Sequence, residues 1–178
     1  MPLSGVLNRS LRSFGSKFLR KFGFDDGAEA MKRYDIYSAT NRTVAFADMV
    51  GDFVVRCPLQ FLADELARRG RRVFYYVLKS EPAWLEHTDP AFDQSLLFGL
   101  PLVEHSAPSD LVALTKNVIY SWTTFAKTGH LRLFNKTPWP PYSSSRRTFV
   151  VLGQGREEIS SAYRENFCDQ WRSRIVGG

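Results

Sequence analysis

With 178 residues, 44% hydrophobic and 14% aromatic, the chain is long and apolar enough to bury one core, which excludes a disordered polypeptide and predicts one domain at most. The formal charge of +6 raises nucleic acid as a partner, but the arginines fall in short clusters (Arg68, Arg69, Arg71, Arg72; Arg146, Arg147) with no nucleic-acid motif beside them; a solvated basic face is expected, and no nucleic-acid partner. No run of about 18 apolar residues occurs, so no membrane-spanning helix is predicted.

The start, MPLSGVLNRSLRSFG, lacks the apolar stretch of a secretory signal, which implies a cytosolic chain or one whose beginning is not included. From Val6 to Phe22, Leu7, Leu11, Phe14, Phe18 and Phe22 share one helical face while Arg9, Arg12, Lys17, Arg20 and Lys21 lie mainly elsewhere. Such a basic amphipathic helix also fits a membrane-surface segment or a transit peptide, but Gly5, Gly15 and Gly23 weaken it alone, and an ordinary domain helix is expected. A second helix is predicted from Asp25, with Asp25 or Asp26 as cap, to Tyr34. A third runs from Thr43 to Val55, with Val44, Phe46, Ala47, Val50 and Val54 inward. Pro58 lacks a backbone donor and disfavours helix at Cys57, so it is expected to open a new helix, Pro58 to Arg68, with Leu59, Leu62 and Leu66 as its buried stripe and Gly70 as its stop.

Val73 to Leu78 is apolar on both alternating faces, as in a strand covered on both sides. From Ser109, Leu111, Leu114, Val118, Ser121, Trp122 and Phe125 recur at three- and four-residue spacing, which predicts a helix that Ser109 caps and Gly129 ends. A β-branched run, Thr148 to Leu152, reads as a second strand. Helix, tight loop and strand are half of a crossover unit, and Val73 to Leu78 supplies the other strand. The final helix is predicted from Glu157 to Arg174, with Ile159, Tyr163, Phe167 and Trp171 aligned. Two strands make a marginal sheet, so the chain reads as the tail of a larger α/β sheet.

Chemistry-bearing residues are sparse. Cys57 and Cys168 are the only cysteines, with no Cys/His cluster, so no metal site or cofactor is predicted; two free buried thiols fit an intracellular chain. Asn8, Asn41 and Asn135 head Asn-x-Ser/Thr acceptor sequons, the third followed directly by Pro138. Glu81, Glu86, Asp89 and Asp93 crowd the stretch around His87, without regular ligand spacing. His105 follows a polar connection, and His130 sits just past Gly129 where a cationic ring complements the helix dipole; both are read as structural.

Several words fall in one order along the chain: Asp52-x-x-x-x-Cys57-Pro58, Val73-Phe74-Tyr75-Tyr76, Phe98-Gly99-Leu100-Pro101-Leu102, Trp122-x-x-Phe125-Ala126-Lys127-Thr128-Gly129, Trp139-Pro140-x-Tyr142 and Cys168-x-x-Trp171. Together they resemble the C-terminal third of the type B carboxylesterase and cholinesterase family, which includes the neuroligin-type adhesion proteins. The resemblance implies that residues 1–178 are the C-terminal portion of an α/β-hydrolase domain, mostly helical with two or three sheet strands. It implies ester hydrolysis through an acyl-serine for the whole family domain. It pairs Cys57 with Cys168, which shifts the expected setting to a secreted protein or the extracellular face of a membrane. Helices at both ends would form a homodimer, and a cell-surface protein is a second partner the family offers.

The same resemblance locates what is missing. No Gly-x-Ser-x-Gly occurs in the sequence, and the family's acid loop lies outside the matched stretch. The His-Gly-x-Glu word expected before Phe98-Gly99 reads Pro90-Ala91-Phe92-Asp93. Pro90 has no titratable group and cannot take a proton from serine; His87, three residues earlier, is the candidate base, and would have to come within about 3 Å of a nucleophile. An exposed loop histidine is the competing reading of His87.

Overall fold

The computed structural model describes residues 13, 15–21, 28–36, 42–79, 92–134, 136–153 and 156–177. The chain divides into two compact units, Met1–Phe61 with Glu165–Gly178, and Leu62–Arg164.

The first unit is helical. Residues 15–21 form α1, followed by α2 (Ala28–Arg33) and α3 (Arg42–Gly51). Its core gathers Leu19, Met31, Tyr34, Ile36, Phe46, Met49, Cys57, Phe61, Cys168 and Trp171, the last two brought in by α8 (Glu165–Ile175). The predicted break at Pro58 does not occur. Asp52–Arg56 forms a π-helical turn that leads directly into α4 (Cys57–Arg68), and the Cys57 N–H bonds the Asp52 carbonyl. A widened turn absorbs the hydrogen bond that Pro58 cannot make.

Of the residues expected inward, Val44 and Ala47 on α3 and Val54 in the π-helical turn are exposed, and Phe46 and Met49 carry the buried side of α3. On α4 the expected stripe is also overturned: Leu59 and Leu62 are exposed, while Cys57, Gln60, Phe61 and Asp64 are buried. Those four positions keep the i, i+3, i+4, i+7 spacing. Two of them are polar, which hid the true face from a reading of apolar residues.

The second unit carries the sheet. β1 (Tyr76–Lys79) pairs parallel with β2 (Thr148–Gly153), Tyr76 opposite Val150 and Lys79 opposite Gly153. β2 is buried from Phe149 through Leu152, as a strand covered on both faces should be. The crossover between them contains α5 (Phe92–Leu97), α6 (Leu100–Val103) and α7 (Ser109–Thr128). The long helix therefore bridges two neighbouring parallel strands, as predicted.

Its buried face is Leu111, Leu114, Thr115, Val118 and Ser121, and Gly129 takes the left-handed conformation (φ 68°) with its N–H on the Phe125 carbonyl. Ser109 is not the cap; Pro108 precedes the helix without a side-chain cap, and the Ser109 hydroxyl lies 3.3 Å from Asp110 Oδ1.

A third strand, β3 (Arg156–Ser161), runs antiparallel to β2 and corrects the predicted final helix. Glu157-Glu158-Ile159 is compatible with helix locally, but its backbone groups pair with Leu152, Val151 and Val150. Cross-strand pairing outweighs a weak local preference. Ala162 and Arg164, both at positive φ, turn the chain before α8 begins. The alignment of Ile159 and Tyr163 with Phe167 and Trp171 was therefore accidental.

Candidate functional site

In open α/β sheets, ligand sites form beyond the carboxyl ends of parallel strands. Here that end is marked by Leu78 on β1 and Leu152 on β2, which line a cavity of about 50 Å³ with Tyr76, Asp93, Gln94, Val118 and Trp122 among its other walls. Its volume suits a water molecule or two rather than a substrate. The Tyr76 hydroxyl lies 3.4 Å from Asp93 Oδ2. Burial, and then the Asp93 carboxylate, push the Tyr76 phenol up to about 12. Such a phenol stays protonated at neutral pH, so it donates to Asp93 and can act neither as base nor as nucleophile. The pair ties the first turn of α5 to β1.

The candidate base His87 lies outside the described residues, as do Pro90, Glu81, Glu86 and Asp89. Of that stretch only Asp93 is placed, facing Tyr76. The sequon residues Asn8, Asn41 and Asn135 also lie outside the described residues, as do Asp25 and Asp26. His105 and His130 are exposed. The His130 ring nitrogen Nδ1 sits 2.8 Å from the Thr128 carbonyl at the end of α7, and neither described histidine is bonded to a serine hydroxyl. No group of three or more metal-ligating side chains gathers among the described residues, and no described helix is long and apolar enough to cross a membrane.

The cysteines do come together. Cys57 and Cys168 form a disulfide between α4 and α8, their Cα atoms 5.1 Å apart and 111 positions apart in sequence, both sulfurs in the core of the first unit. Beside it runs a polar chain. Trp171 Nε1 donates to Tyr34 Oη at 3.0 Å, and Tyr34 Oη donates to Asp52 Oδ2 at 2.7 Å. Arg56 Nη1 donates to Asp52 Oδ1 at 2.8 Å. Asp52 is fully buried, and these bonds offset the cost of removing its charge from water. Sequence reasoning noted Asp52 only through its spacing to Cys57. The signal for its role is an acid one π-turn from an arginine on an otherwise apolar helix.

The second unit has a counterpart: the buried Tyr142 hydroxyl donates to Asp64 Oδ1 at 2.7 Å. Burial first, and the Asp64 bond second, hold the Tyr142 phenol well above its ordinary value. The aromatic words also have a packing reason. Phe74 meets Phe125 edge to face at 5.7 Å, Tyr76 meets Trp122 at 5.0 Å, and Trp122 meets Trp139 at 6.4 Å. This ladder stitches α7 to β1 and to the loop beyond Gly129.

Glu157 on β3 accepts the Phe134 N–H through Oε2 at 2.6 Å, while its buried Oε1 has no partner. Burial raises its proton affinity more than the Phe134 bond lowers it. A carboxylate with a raised folded pKa favours the fold in acid and loses that contribution as pH rises through the folded value. The stability difference between the Glu157→Gln variant and the parent chain is therefore expected to move in the variant's favour between pH 4 and pH 7; urea midpoints at the two pH values measure it.

A sequence model of the Carboxylesterase family matches residues 21–171. The chain is 29% identical over 171 residues to acetylcholinesterase-1 of Trittame loki, covering 88% of this chain and 30% of that protein. It is 29% identical over 135 residues to acetylcholinesterase of Gallus gallus, covering 71% of this chain and 18% of that protein. Against cholinesterase of Mus musculus the identity is 25% over 139 residues, covering 72% and 23%. The chain thus spans less than a third of the length of each of these relatives.

Proposed function

Because the chain belongs to the Carboxylesterase family, with an α/β-hydrolase fold, we propose that it is the C-terminal portion of an extracellular, cholinesterase-like serine hydrolase domain and does not hydrolyse esters by itself. The observation that carries this reading is chemical. The sequence holds no Gly-x-Ser-x-Gly, and the position where the family resemblance expects the base is Pro90. What remains is the scaffold: a parallel strand pair bridged by α7, and a disulfide-tied helical unit. The described polar pairs, Tyr76 with Asp93 and Tyr142 with Asp64, place protonated phenols against carboxylates, an arrangement that fixes elements rather than moving protons at neutral pH.

An extracellular setting is supported by the Cys57–Cys168 disulfide, since such bonds persist in oxidising compartments. The sequons at Asn8, Asn41 and Asn135 fit the same setting as glycosylation sites. A second reading, a non-catalytic adhesion or binding protein of the neuroligin type with a cell-surface partner or a second copy bound through its terminal helices, is favoured by Pro90: loss of the base with retention of the cysteine pair keeps fold and discards chemistry. Ester turnover by the isolated chain tests the inactivity, and its appearance with His87 required would contradict both readings.

A further inference from the structure

The run Arg68-Arg69-Gly70-Arg71-Arg72, between α4 and β1, has no part in the roles above. All five residues are exposed. The helix closes on the Arg69, Gly70 and Arg71 N–H groups, bonded to the carbonyls of Glu65, Ala67 and Leu66. Gly70 takes φ 73° with open space where a side chain would stand, and residues 71–75 belong to no helix or strand. Four arginines thus stand exposed across the end of α4 and the connection after it, the kind of surface segment where proteolytic nicking concentrates. Glu65 answers two of them, 2.5 Å from Arg68 and 2.7 Å from Arg69, but surface pairs of this kind are worth at most about 1 kcal/mol. Neither Arg71 nor Arg72 has an ion pair among the described residues.

The spacing is selective. Counting back from Val73, basic residues stand at the first, second and fourth positions (Arg72, Arg71, Arg69). The other basic pairs lack the third charge: Phe18 precedes Arg20-Lys21, Ala30 precedes Lys32-Arg33, and Ser144 precedes Arg146-Arg147 at that place. Two of those pairs also lie inside α1 and α2.

We propose that the Arg72–Val73 peptide bond is a processing site for a secretory-route endoprotease that selects paired basic residues through carboxylate-lined subsites, and that the cut chain stays together through the Cys57–Cys168 disulfide. Charge complementarity between four arginines and acidic subsites supplies the recognition. Water adds to the Arg72 carbonyl carbon and the C–N bond to Val73 breaks, which leaves an Arg72 carboxylate and a Val73 ammonium. The bond lies between the two cysteines in sequence, so residues 1–72 and 73–178 each keep one sulfur of the bridge. Just beyond the cut, the Val73 carbonyl accepts the Tyr142 N–H and the Tyr75 carbonyl accepts the Val150 N–H. The protease therefore gains its extended substrate by fraying the exposed end of α4, the less anchored side.

The secretory route rests on the extracellular reading above, but digestion with purified protease does not. The oxidised full chain is treated with a subtilisin-like protease specific for paired basic residues, with heat-unfolded chain and the Arg72→Ala variant alongside. The expected result is one band without reductant, two bands with it, a new N-terminus reading Val73-Phe74-Tyr75, and loss of cleavage in the variant. The proposal is overturned if the native chain stays whole under conditions that cut the unfolded chain, if neither form is cut, if Arg72→Ala is cut as fast, or if the pieces separate without reductant. Free thiols at Cys57 and Cys168 in protein taken from its cells would remove the extracellular reading and leave the digestion result standing.

Discussion

Replacing Cys168 with alanine is expected to lower stability by about 4 kcal/mol. The bridge spans 111 positions, and closing a loop of about 100 residues removes roughly 4.7 kcal/mol of chain entropy from the unfolded state, with native strain subtracting from it. The removed sulfur is also part of a packed core containing Trp171 and Phe61. Since either cysteine alone breaks the bridge, the Cys57→Ala variant should fall by a similar amount, and the double variant by little more than either. Urea midpoints of the four proteins, read without reductant, check this. A drop of under about 1 kcal/mol in the single variants would mean that the bridge closes a loop already restrained in the unfolded chain.

The second large effect is expected at Asp52. Its carboxylate is fully buried and joins Tyr34 and Arg56, with Trp171 behind Tyr34. Asp52→Ala takes from the Tyr34 hydroxyl this acceptor and from Arg56 its buried carboxylate, while the Arg56 contacts with the Asp48 carboxylate at 3.3 Å and the Asp48 carbonyl at 3.2 Å stay in place. Removing one member of a buried charged pair costs about 3 kcal/mol or more, whereas a solvent-exposed pair such as Arg69 with Glu65 is worth under about 1. Asp52→Asn keeps an acceptor and should lose less. Tyr34→Phe should cost about 1–2 kcal/mol by removing one donor to the Asp52 carboxylate and the hydroxyl that accepts the Trp171 N–H. If Asp52→Ala and Tyr34→Phe proved strictly additive, the two residues would not be acting through one network.

The crossover was legible in the sequence because its signals are local and redundant. α7 repeats a buried face from Leu111 to Ser121 and stops at a glycine in the conformation that only glycine adopts cheaply; β2 is a short run of β-branched and aromatic residues buried on both faces. The face of α4 was not legible, because two of its buried positions, Gln60 and Asp64, are polar, and Asp64 meets its partner, Tyr142, 78 positions away. Nor was β3, whose Glu157 and Glu158 favour helix until β2 lies alongside. The π-turn at Asp52–Arg56 was hidden for the same reason: Cys57 keeps helical φ and ψ ahead of a proline while anchored by a bridge to a helix more than a hundred residues away. As for the candidate site, the absence of Gly-x-Ser-x-Gly is read from the sequence itself and His87 and Pro90 lie outside the described residues, whereas Tyr76 and Asp93 meet only once α5 is laid against β1.

Whether this scaffold carries chemistry of its own is open to direct measurement. The direct measurement is ester turnover by the purified 178-residue chain, run beside labelling with a serine-directed fluorophosphonate. Hydrolysis of a p-nitrophenyl ester at the rate of buffer, and no phosphonylated serine by mass spectrometry, is the expected result. Saturable turnover abolished by the fluorophosphonate, with the adduct mapped to a serine of this chain, would contradict it.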